Sequence, residues 1–106
     1  MSTKLILRDG FISYDDLFHW FKNDTSIDKH ISWLDEDLAQ IIFPNNTYLI
    51  DIGWYPSRDK QGEFSVIVIK DKNWSKYLFQ ESARSYNDLI AAINRAVEFI
   101  YAELNK

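Results

Sequence analysis

Apolar and polar positions alternate most regularly in TYLIDIGWYP (47–56). Tyr48, Ile50, Ile52 and Trp54 share one face at period two, and Leu49, Asp51, Gly53 and Tyr55 share the other, which is strand spacing. EFSVIVIK (63–70) and WSKYLFQ (74–80) follow, so strands are expected near 47–55, 63–70 and 74–80. The polar connection PSRDKQG (56–62) and the tight Asp71-Lys72-Asn73 are short, which favours antiparallel neighbours and hence a meander. FSVIVIK has the most continuous β-branched run, so 63–70 is expected to be the central strand.

Elsewhere the period lengthens. Tyr14, Leu17, Phe18 and Phe21 form a helical stripe, and Ser13 with Asp16 resembles a capping box, predicting a helix near 14–23. Thr25 and Asp28 repeat the cap. Ile27, Ile31, Leu34, Leu38, Ile41 and Ile42 then predict a helix over 26–42, stopped by Pro44, which disfavours helix at Phe43. Ser85 and Asp88 form a third cap, ahead of a long helix carrying Leu89, Ile90, Ile93, Val97, Ile100 and Leu104. KLIL (4–7) is compatible with a short strand, and Asp9-Gly10 is a turn pair. The expected order is (β)ααβββα. This is one α+β domain spanning 1–106, a three- to four-stranded antiparallel sheet packed with about three helices.

Composition narrows the chemistry. The 106 residues contain no Cys, only two His and three Gly. Thiolate chemistry and Cys-ligated metals are thereby excluded, and a glycine-rich phosphate loop is hard to build. His19 and His30 fall on predicted helices away from the apolar stripes, at no metal-ligand spacing, and read as solvated surface residues. The expectation is a protein that is not an enzyme and has no cofactor or metal. A net charge of −4 disfavours a nucleic-acid partner, which needs clustered Lys and Arg. The N-terminal apolar run is too short for a signal peptide and no stretch could span a membrane, so a cytoplasmic protein is expected. On that expectation the three N-x-Ser/Thr triplets, at Asn23, Asn45 and Asn73, are chance matches.

Four Trp, six Tyr and seven Phe exceed what so small a core needs, and aromatics also dominate binding hot spots. Two surfaces are candidates. On the predicted second helix, Lys29, Trp33, Glu36 and Gln40 lie opposite the apolar stripe, flanked by Asp35 and Asp37. Either Trp33 is a recognition anchor ringed by acids, or it packs under a neighbouring segment. A third option starts the helix at Ser32, making Asp35, Glu36 and Asp37 first-turn acids that complement the helix dipole. The second surface is the sheet face bearing Asp51 and Tyr55, with Ser65, Ile67 and Ile69 as neighbours and Tyr77 or Phe79 from the last strand. It is too apolar for a plain solvated face, so either the C-terminal helix or a partner covers it. A lone buried carboxylate is costly, so Asp51 is expected to meet a cation, either internal (Lys70 or Arg84) or from a partner. Asp59, in the polar loop, completes the partner-binding candidates.

IDIGWYP (50–56), the polar loop, GEFSVIVIK (62–70) and Trp74 resemble small bacterial immunity proteins encoded beside polymorphic toxins, including contact-dependent growth inhibition systems. Size and acidity are similar too, and the likeness covers roughly the C-terminal two thirds. The resemblance implies a cytoplasmic toxin inhibitor acting by protein–protein interaction. Its partner would be one cognate toxin domain, often a basic nuclease, whose active site it occludes. No binding residue carries over by position. The alternatives are a structural or regulatory domain that self-associates as a weak homodimer, and a small-ligand-binding module.

Overall fold

The computed structural model describes residues 4–22, 24–44 and 47–106. It is an α+β fold built on one five-stranded antiparallel sheet, in the order β1 (Phe11–Asp15), β2 (Ala39–Ile42), β3 (Tyr48–Tyr55), β4 (Glu63–Lys70) and β5 (Phe79–Ala83). Neighbours in the chain are neighbours in the sheet, so the topology is a meander. Three helices accompany it: α1 (Phe18–Phe21), α2 (Ile27–His30), which runs into a 3-10 turn at Ile31–Trp33, and α3 (Tyr86–Leu104).

The alternation in β3 and β4 sorts side chains as expected. Ile50, Ile52, Trp54, Phe64, Val66 and Val68 are buried on one face, together with Ile41 and Ala39 of β2. Across that face lies α3, whose Leu89, Ile93, Ala96, Val97 and Ile100 are buried. Fully burying a Leu or Ile stabilises by about 1.5–3 kcal/mol. Ser85 caps this helix as its sequence predicts, its Oγ accepting from the Asp88 amide at 3.1 Å. Farther along, Arg95 forks onto the Glu81 carboxylate of β5 at 2.6–3.0 Å, and Phe99 packs on Phe79.

Several elements differ from the expected order. No helix spans 14–23; Ser13 and Tyr14 belong to β1. The Asp15 carboxylate accepts the amides of Leu17 and Phe18 and turns the chain into the four-residue α1. No helix spans 26–42 either. The stripe from Ile27 to Ile31 is helical for little more than a turn, Ser26 rather than Thr25 precedes α2, and residues 39–42 form β2 between β1 and β3. Pro44 therefore follows a strand. The last strand is Phe79–Ala83 rather than 74–80. Asn73 Oδ1 accepts both the amide and the hydroxyl of Ser75, which holds that stretch in a turn. Phe64–Lys70 is an interior strand, but β3 is the middle one.

KLIL forms no strand; it is an extended strap on α3. Ile6 N donates to Asn94 Oδ1 at 2.9 Å, and Asn94 Nδ2 donates to the Lys4 carbonyl at 2.8 Å. Among the described residues, no helix is long and apolar enough to cross a membrane.

Candidate functional site: an acidic aromatic groove and the open sheet face

The segment between the 3-10 turn and β2 forms the rim of the site. Leu34 and Leu38 are fully buried, and the three acids between them are carried on an arch over β3. Trp54 N donates to the Asp35 carbonyl at 2.8 Å, and Leu38 N donates to the Ile52 carbonyl at 3.0 Å. The arch crosses above Gly53, where a Cβ would stand 2.0 Å from the Glu36 carbonyl oxygen. Only glycine permits that approach. The polar loop clasps the arch from the other side. Arg58 N donates to the Leu34 carbonyl at 2.7 Å, and its guanidinium meets both oxygens of Asp35 at 3.3 Å.

Beside the arch lies a groove of about 700 Å³, lined by Tyr14, Asp16, Trp20, Trp33, Asp35, Glu36, Asp37, Leu38 and Ser57. Trp33 stands here between two roles. It packs on Phe21 at 5.7 Å and His30 at 5.1 Å, yet its indole also lines the groove beside Trp20 at 5.9 Å. His30 is accordingly not a solvated surface residue. Its ring lies 4.2 Å from Phe21, with Nε2 2.8 Å from the Asp24 carbonyl. Among the described residues, Asp16, Glu36 and Asp37 have no cationic partner. The Tyr14 hydroxyl donates to Asp16 at 2.7 Å. That bond, burial and the charges of Asp16, Asp37 and Asp35 all push the Tyr14 pKa up.

Behind the arch the groove opens onto the sheet face that α3 does not cover. One row crosses all five strands: Tyr14, Gln40, Asp51, Ile67 and Gln80. Asp51 is 9% exposed. No cation reaches it among the described residues. Arg84 pairs with Glu63, and Lys70 extends over the Tyr48 ring. Its hydrogen-bond partner is instead Gln40, whose Nε2 donates to Oδ1 at 3.2 Å. Of the two expected sources of a cation, the internal one is therefore absent among the described residues, and the partner remains. Burial pushes the Asp51 pKa up, the Gln40 bond opposes that rise and the Asp37 charge adds to it.

Of the residues singled out in the sequence, Trp33, Asp35, Glu36 and Asp37 share the groove, while Gln40, Asp51 and Tyr55 share the sheet face beside it. Asp59 joins neither. Its carboxylate accepts the Gln61 amide at 2.9 Å and its carbonyl accepts the Trp54 indole N–H, so it holds the loop together. Sequence reasoning missed Trp20, the most exposed groove aromatic at 54%, and Tyr14, which it had buried in a helix stripe. The signal for Trp20 was its place off the Leu17–Phe21 stripe. Among the described residues, no group of three or more acidic, His or Cys side chains is placed to hold a metal ion.

No protein-family model matches the chain, and neither a curated protein nor a solved structure is significantly similar to it.

Proposed function

We propose that this protein is a non-enzymatic, cytoplasmic inhibitor of the immunity type, which binds a basic toxin domain and occludes its active site. The observation that carries this reading is the groove itself. Trp20 and Trp33 stand beside three carboxylates that have no cation among the described residues, on a chain of net charge −4. An exposed Trp20 and a half-buried Trp33 next to such acids suit a basic protein surface. The acids steer encounter and the aromatic rings supply burial once contact is made. A nuclease fits because its site is built to receive phosphate, and carboxylates can occupy the same cleft. Self-association through the open face would bury the Asp51 charge unless a cation met it there.

The test is binding to a basic toxin domain encoded beside this gene, followed kinetically at several salt concentrations. Glu36→Lys with Asp37→Lys is expected to slow association about tenfold at low salt and to flatten its salt dependence. Trp33→Ala is expected to act mainly on dissociation, at a cost of about 2 kcal/mol. If these variants protect a cell as well as the parent does, the groove is not the inhibitory surface.

A further inference from the structure

We infer that the depression floored by Asp51 and walled by Tyr55 and Tyr77 is a receptor for one arginine side chain of a protein partner. The inference rests on the inhibitor reading above and names the contact at its centre.

The depression measures about 520 Å³ and lies on the open face of β3, β4 and β5. Asp51 is nine-tenths buried, yet its Oδ2 receives no hydrogen bond among the described residues. No buried side-chain oxygen or nitrogen among those residues is both occluded and unpartnered, so Oδ2 retains an opening toward solvent. It is half-satisfied, and Asp51 lines both the depression and the adjoining hollow beside Gln40. A group entering there meets a carboxylate in a poorly hydrated place, where a charge-assisted bond is strongest.

The walls select among cations. Tyr55 and Tyr77 are 43% and 51% exposed, large rings left open beside the acid. Burial and the Asp51 charge push the Tyr55 pKa up. A planar guanidinium can stack on such a ring while its edge donates to Asp51. It has donors left for the Gln80 amide oxygen and the Ser65 hydroxyl, which also line the depression. A lysine ammonium has donors to spare but no plane to lay on the ring and no fixed fork for the carboxylate. Glu63 on the rim is already engaged by Arg84, which leaves Asp51 as the uncommitted charge.

The test needs no toxin. The intact protein is titrated with N-acetyl-arginine methylamide, its lysine counterpart and its neutral citrulline isostere, and followed by amide NMR. Saturable shifts are expected for the arginine probe at the Gln40 side-chain amide and along Asp51–Tyr55. They should be weaker for lysine by about threefold and absent for citrulline. Asp51→Asn should abolish them, while Glu36→Gln should leave them in place. Equal response to citrulline, survival in Asp51→Asn, or no saturation by about 50 mM would each overturn the assignment. Toxin binding that is absent, or that the groove variants leave unchanged, with the arginine response intact would overturn the inhibitor reading alone. The converse result would remove only the receptor.

Discussion

Desolvation at Asp51 opposes folding whenever its carboxylate is charged. Because its pKa is raised in the folded protein, the native state holds that proton more tightly than the unfolded chain does. Stability from this group is therefore highest below the unfolded value of about 3.9 and falls as pH rises through the native one. Asp51→Asn keeps the polar shape without the charge. It is expected to stabilise the protein at neutral pH by up to about 1 kcal/mol while weakening partner binding, the trade-off common at functional sites. Urea midpoints measured from neutral pH downward check this. The advantage should close at about pH 3–4, and one that persisted there would not come from charge. The anomaly of an acid in an apolar strand is legible in the sequence, but its neutral partner is not. Gln40 comes from a segment whose apolar spacing reads as helix, which moved it away from Asp51 and left Lys70 and Arg84 as the apparent donors.

The arch of Asp35–Asp37 depends on two elements that meet at Gly53. Gly53→Ala would drive a methyl into the Glu36 carbonyl, so either β3 or the arch must give way. The expected cost is about 2–4 kcal/mol. Ser65→Ala, across the ladder on the same face, should stay within about 0.5 kcal/mol. Chemical denaturation of both variants is the check, and equal midpoints would mean the arch relaxes freely. This contact also explains why β2 escaped a reading by period. Leu34, Leu38 and Ile41 are buried at helical spacing, while Ala39, Ile41 and Phe43 are buried at strand spacing. Over so few residues both periods fit, and pairing with β3 decides between them. By contrast α3 was legible because nineteen residues of one period, with a cap in front, admit no competing arrangement. The β3–β4 pair was legible for a related reason: eight-residue strands joined by a polar loop.

At the scale of the whole molecule, one sheet serves two purposes. Its inner face is closed by α3 and by the segment that brings Leu17, Phe21 and Leu34 into the core, and its outer face stays open beside the acidic groove. Amide exchange should follow this arrangement. The slowest amides are expected at Leu49, Asp51, Ile67 and Ile69, which point across the ladder between the two longest strands, and faster ones at the β1 and β5 edges. Comparable protection at Phe11 or Ser82 would contradict that order. The strap at residues 4–9 has a different consequence. Its hydrogen bonds to Asn94 and Tyr101 join residues 88 to 92 positions apart. A meander can pair its strands in the order they leave the ribosome, but neither the strap nor the inner sheet face has its partner until α3 has been synthesised. The nascent chain thus carries an uncovered apolar sheet until α3 has been made. The strap and the sheet face are then closed by the same helix, through contacts far apart in sequence, which makes their closure a late event in folding.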